Sequence, residues 1–169
     1  MSGAALALDI DELIITKERG AYRVQMSFST AAQPDRVIEV LIDYENPDRL
    51  FPDVKKREII SSEGGVTRVR TEVRSCLFFF CRDLEMIQDV TSTANTVQAD
   101  IVPEGSDFRS GTMRWIVAST EDGTSHVTFE SSMEPDVFIP PLLGKILIRR
   151  MLEQEVLAIA TNLENEAAH

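Results

Sequence analysis

The chain has 169 residues, 43% hydrophobic and 27% charged. That is enough apolar material for one packed core and too much for a disordered segment. Seventeen basic residues against 28 acidic ones leave a net charge of −11, which opposes a phosphate backbone and sets nucleic acid aside as a partner.

In chain order, the first residues MSGAALALD end in an Ala-Leu-Ala like the end of a signal peptide, yet lack the basic and long apolar regions that export requires. Residues 1–9 are expected to be a flexible start. Two origins stay open for them: the N-terminus of a cytoplasmic protein, or an exported protein shorn of most of its leader. ELIITKERGAYRV then reads as a hairpin turning near Gly20, and YRVQMSFS alternates with Tyr22, Val24, Met26 and Phe28 on one face. In QPDRVIEVLIDYENPDRLFP the period changes. Val37, Val40, Leu41 and Tyr44 fall at helical spacing behind Pro34, and Pro47 and Pro52 bend the chain into a second short helical piece.

From Val54 to Met133 the period is two. KKREIISS reaches a turn at Gly64-Gly65, and VTRVRTEVRS sets Val69 and Val73 against Arg68, Arg70, Glu72 and Arg74. RDLEMIQDV places Leu84, Met86 and Val90 together, TVQADIV offers Val97, Ala99 and Ile101, and TMRWIVAS gives Met113, Trp115 and Val117. SHVTFESS sets Val127 and Phe129 opposite His126, Thr128 and Glu130. This alternation predicts antiparallel strands with one wet and one dry face. Pro140-Pro141 then opens a long helix whose apolar stripe is Leu152, Val156, Ile159 and Leu163. A one-sided sheet with one long amphipathic helix to cover it is an α+β arrangement.

Chemistry-bearing residues are sparse. His126 is expected to face solvent and His169 is the last residue, so a Ser-His-Asp triad or a histidine-based zinc site has no basis. No phosphate loop or dinucleotide fingerprint occurs, and no cofactor or metal is expected. Asp107 and Arg109 in GSDFRSG are the most suggestive polar pair, and an ion pair at a strand end accounts for them. Asp83 and Glu85 fall on the outer face. No residue is assigned a catalytic role.

The run CLFFFC, Cys76 to Cys81, joins two strands and is far shorter than the about 18–20 apolar residues of a membrane span. If Leu77–Phe80 is a hairpin loop, the two cysteines can face each other within disulfide range; if the strand runs straight, they point to opposite faces. Leu77, Phe78, Phe79 and Phe80 then either fold back on neighbouring loops or form an apolar tip. VFIPPLLGKILIRR carries Lys145, Arg149 and Arg150, the one place where basic charge offsets the global acidity near a bilayer. A disulfide would favour the periplasm or exterior, and free cysteines the cytoplasm.

Strands, two short helices, more strands and a final long helix resemble the helix-grip fold of START and Bet v 1-like (SRPBCC) proteins, in the polyketide cyclase/dehydrase and lipid-transport group. DYENPDRLFP and PEGSDFRSGTMRWIV resemble stretches of the coenzyme Q-binding branch. EPDVFIPPLLGKILIRRMLEQE resembles the approach to the C-terminal helix in bacterial members. The resemblance implies a single domain over 1–169, with a curved antiparallel sheet wrapped around the C-terminal helix and a hydrophobic cavity between them. It implies that the dry-face residues line that cavity: Val69, Val73, Leu84, Met86, Val97, Ala99, Ile101, Met113, Trp115, Val117, Val127, Phe129, Leu152, Val156 and Ile159. Leu77–Phe80 would then rim the cavity mouth or touch a membrane transiently. The expected function is lipid binding: a hydrophobic small molecule, lipid or isoprenoid quinone, bound or transported without chemistry. The alternatives are a cyclase- or dehydratase-like enzyme using a buried carboxylate, and a protein-interaction module.

Overall fold

The computed structural model describes residues 9–77, 80–139 and 141–167, with the side chains at 77, 80, 141–145 and 167 excepted. Eight strands form one antiparallel sheet: β1 (Asp9–Glu18), β2 (Ala21–Thr30), β3 (Val54–Glu63), β4 (Val66–Leu77), β5 (Phe80–Ser92), β6 (Thr96–Val102), β7 (Phe108–Ser119) and β8 (Ser125–Pro135). Their spatial order is β1-β2-β8-β7-β6-β5-β4-β3, so β8 returns to pair with β2 and the edges are β1 and β3. Between β2 and β3 lie α1 (Pro34–Leu41) and a 3-10 turn (Pro47–Arg49). The chain closes with α2 (Pro141–Ala167). This is the helix-grip α+β fold.

Two tight hairpins set the register of the sheet's edges. Arg19 and Gly20 have φ of 48° and 88°, and Gly64 and Gly65 have 59° and 78°. Successive positive φ values match the right-handed twist of the strands they join, and glycine adopts them without a Cβ clash.

The expected inner faces are dry. Val24, Met26, Phe28, Val69, Val97, Trp115, Val117, Val127 and Phe129 are buried on the sheet, against Val156, Ile159 and Leu163 of α2. Trp115 and Phe129 lie ring to ring at 4.3 Å between centroids. Each such side chain contributes roughly 1.5–3 kcal/mol on burial, so this cluster is the main stabilising element.

The short helices differ from the sequence expectation. α1 starts at Pro34, whose missing N–H costs nothing at a helix start, but it ends at Leu41. Its buried residues are Val37, Ile38 and Leu41, so Ile38 joins the expected face; Val40 and Tyr44 are partly buried against the core, Tyr44 from beyond the helix. The cause is tertiary: α1 is wedged between the sheet and α2, which covers a wider face than one stripe. After it, the Asp43 carboxylate accepts hydrogen bonds from the Glu45 and Asn46 amides and the Asn46 side chain, turning the chain before the single 3-10 turn.

α2 is tied along its length. Glu166 pairs with Arg49, and Asn162 Nδ2 donates to the Leu50 carbonyl at 3.3 Å. Met151 Sδ lies 3.7 Å from Ser75 Oγ near the end of β4. At Met151 the helix therefore lies beside the end of β4, near where β4 and β5 meet, and its last turns lie beside the 3-10 turn. Among the described residues no helix is long and apolar enough to cross a membrane.

Candidate functional site

The β4–β5 hairpin is tighter than the four-residue loop considered from sequence. Leu77 pairs with Phe80, and Cys76 pairs with Cys81 at a Cα separation of 4.0 Å, bridged by a disulfide. Phe78 and Phe79 lie outside the described residues, as do the Leu77 and Phe80 side chains, so the expected cavity-mouth or membrane contact is not placed.

The remaining expected lining residues separate into two groups. Val69, Val97, Trp115, Val117, Val127, Phe129, Val156 and Ile159 belong to the closely packed cluster, with Ala99, Met113 and Leu152 against it. Val73, Leu84, Met86 and Ile101 are also buried or partly buried but lie outside that cluster. The interior is thus densest under β2, β7 and β8. On the other half, β3–β5, the inner face carries polar groups that the hydrophobic pattern did not single out.

Register places them. Arg57 pairs with Thr71, Thr71 with Met86, and Val69 with Gln88, so all five share the inner face. Thr71 and Gln88 are each 1% exposed. The Arg57 guanidinium sits 5.3 Å from the Tyr44 ring centroid and 5.1 Å from that of Phe51, held between two aromatic faces. Its Nε and one Nη are shielded from solvent, and among the described residues they have no hydrogen-bond partner. Thr71 Oγ1 is in the same condition. Burial pulls the Arg57 pKa down, partly opposed by Tyr44, and burial raises that of Tyr44 against the effect of Arg57. An arginine nevertheless stays charged. Gln88 has a weak partner, with Nε2 3.7 Å from Met113 Sδ. On the helix side, burial and then the charge of Asp53 push the Glu155 carboxyl up to about 7.

Buried polar groups without partners are uncommon because each forfeits its hydration, at a cost of about 1–3 kcal/mol and more when charged. Arg57 and Thr71 bring two such groups together on adjacent paired strands; Tyr22 Oη and Glu164 Oε2 are the others among the described residues.

The other candidates have structural roles. Asp107 and Arg109 do not pair with each other, contrary to expectation. Arg109 Nε donates to Asp136 at 2.7 Å and its Nη1 lies 3.8 Å from Glu134, whereas the Asp107 carboxylate accepts the Glu85 amide at 2.8 Å. The start of β7 is held between β5 and the end of β8, so each side chain turns to a different neighbour. Asp83 pairs with Lys55 and Arg74 on the outer face, as its strand phase implied. His126 faces Asp11 at 3.5 Å on the surface. Among the described residues no three His, Cys, Asp or Glu side chains are grouped to hold a metal. A hollow of about 430 Å³ beside α1 is lined mainly by charged side chains, including Arg36, Glu39, Asp43 and Arg49, and is separate from the inner face.

The sequence from 21 to 168 matches the family model described as polyketide cyclase / dehydrase and lipid transport. The chain belongs to this family. The match is to the family as a whole and does not separate the coenzyme Q-binding branch within it. Solved structures share the fold at low identity. A protein from Thermus thermophilus is 20% identical with a TM-score of 0.71, over 86% of this chain and 97% of that one. The Zhui aromatase/cyclase from a Streptomyces species is 17% identical with a TM-score of 0.69, over 88% and 94%. A STAR-related lipid transfer protein fragment from Xanthomonas axonopodis is 16% identical with a TM-score of 0.65, over 90% and 99%. These neighbours include both a lipid transfer protein and a cyclase. No curated protein sequence matches the chain.

Proposed function

We propose that this protein binds a hydrophobic small molecule with an oxygen-bearing head, an isoprenoid quinone or another lipid, between β3–β5 and α2. One observation carries the reading: Arg57 and Thr71 are buried on an otherwise apolar face with polar atoms lacking partners. A plain core gains nothing from a guanidinium there, whereas a ligand carbonyl or hydroxyl would accept from Arg57 Nε and Nη. The ligand's apolar body would lie along Val73, Leu84 and Met86, where the dense cluster ends. Apolar burial would drive binding, and the arginine would fix orientation.

Trp115 is the only tryptophan and lies in the inner face, so its emission reports on occupancy. Titration with a short-chain quinone should quench it saturably, and Arg57→Met should weaken that binding by about 10- to 150-fold, the range of a charged hydrogen bond. Equal affinity of both proteins for the quinone would remove the role given to Arg57.

A second reading draws on Glu155. A carboxyl whose pKa lies near neutrality can give and take a proton, as a cyclase or dehydratase requires. Arg57 would then polarise a substrate carbonyl. Turnover of a polyketide-like substrate, abolished by Glu155→Gln and rising through a pKa near that of the carboxyl, would favour catalysis over carriage.

A further inference from the structure

We propose that the end of the fold formed by the Asp136–Ile139 segment and the first turns of α2 docks on an anionic lipid bilayer. Two large apolar side chains stand out there: Phe138 is 86% and Ile146 81% exposed, against 52% for Ile59, the next large hydrophobic among the described residues. Single exposed hydrophobics are ordinary on a protein surface. These two are set apart by where they sit and by what surrounds them.

Three chain segments converge there. Met151 Sδ lies 3.7 Å from Ser75 Oγ, one residue before the Cys76–Cys81 pair that closes the β4–β5 hairpin, and Ile146 stands five residues, about 7.5 Å of helix, before Met151. The Asp136 amide donates to the Asp107 carbonyl at 2.8 Å, and the Asp107 amide donates to the Glu85 carbonyl at 2.8 Å. The segment leading to Phe138 is thereby tied to the same end of the sheet. The Cys76–Cys81 bridge reaches that end too and holds the hairpin closed.

Charge selects the partner. The protein carries −11 overall, yet residues 137–152 contain Lys145, Arg149 and Arg150 and no aspartate or glutamate. Arg149 and Arg150 are exposed. Of the acidic groups around this end, Asp136 and Glu134 are engaged by Arg109, and Asp107 by the Glu85 amide and Arg82, while Glu153 follows one turn after Arg149. A run of sixteen residues with three basic and no acidic side chains, on a protein of net charge −11, suits an anionic bilayer: its surface attracts basic side chains, its headgroup region accepts Phe and Ile, and it repels the acidic remainder so that this end approaches first.

The test uses the whole, disulfide-intact protein and vesicles of three parts phosphatidylcholine to one part phosphatidylglycerol, with pure phosphatidylcholine vesicles as the contrast. The protein should sediment with the mixed vesicles and much less with the neutral ones. Arg149→Glu with Arg150→Glu should lower partitioning by about tenfold or more, given the contribution of each basic residue at an anionic surface. Phe138→Ser with Ile146→Ser should also weaken it severalfold while leaving circular dichroism and Trp115 emission unchanged, since both positions are exposed. Absence of sedimentation, equal partition to both vesicle types, or indifference to both double variants would overturn the proposal. So would a dimer in solution that the Phe138→Ser, Ile146→Ser variant dissolves, which would assign this face to self-association. Only protein that stays with the vesicle pellet is counted, so uptake of a vesicle lipid into the interior does not register as docking and the outcome is separate from the ligand reading.

Discussion

Replacing Glu155 by glutamine should make the protein more stable at alkaline pH and leave it unchanged at acidic pH. The carboxyl is pushed from 4.5 to about 7, first by burial and second by Asp53. A rise of about 2.5 units at 1.36 kcal/mol per unit corresponds to roughly 3 kcal/mol between the protonated and ionised forms in the folded state. The sign follows from proton counting. Between pH 4.5 and 7 the folded chain holds a proton on Glu155 that the unfolded chain has lost, so stability falls as pH rises through this window. Below the window both states are protonated, above it both are ionised, and the contribution is flat at either end. Urea unfolding at pH 4, 5, 6, 7 and 8, wild type against Glu155→Gln, isolates this residue and its coupling to Asp53, because titrating groups that do not interact with it cancel in the difference. The difference should be near zero at the lowest pH and grow to about 3 kcal/mol at the highest, equivalent to several degrees in Tm for a chain of this size. A difference that does not depend on pH would refute the reasoning, since it would mean that Glu155 ionises as freely in the folded protein as in water.

Three further outcomes bear on the fold and the site. Thr71→Val deletes a hydroxyl without a partner while keeping its shape, and should raise the unfolding free energy of the ligand-free protein by about 1 kcal/mol in urea titration. Leu163→Ala removes a side chain with no exposure and should cost about 2–5 kcal/mol in the same measurement. Reducing Cys76–Cys81, which closes a loop between residues only five apart, should cost about 2 kcal/mol, and alkylation should change the mass only after reductant is added.

Much of the fold is legible in the sequence because the sheet has one dry face. Alternation in VTRVRTEVRS and TMRWIVAS puts Val69, Trp115 and Val117 inside, where they are found buried. The same alternation could have exposed part of the site. Thr71 lies midway between Val69 and Val73, and Gln88 between Met86 and Val90, so both are polar residues in inward phase. They are hidden only from a reading that follows hydrophobic residues alone. Arg57 is harder to see. The β3–β4 register shifts between Val54 and Lys56 and again between Ile59 and Ser61, so counting by twos along KKREIISS loses the phase. Glu155 stands three residues after Leu152 and four before Ile159, on the face of the Leu152–Val156–Ile159 stripe, so it too is a polar residue in inward phase, while its approach to Asp53 depends on the chain before β3 lying alongside α2. The partners of Arg109 are likewise set by topology: Asp136 becomes available only because β8 ends beside the start of β7.

The central claim is that a hydrophobic molecule with an oxygen-bearing head sits against Arg57. Protein purified from its native host should be extracted with organic solvent and the extract identified by mass spectrometry, alongside Arg57→Met prepared identically. Near-stoichiometric recovery of a quinone or similar lipid from the wild type, and its marked depletion from the variant, is the expected result. An extract empty of such molecules, or one carried equally by both proteins, would contradict the account.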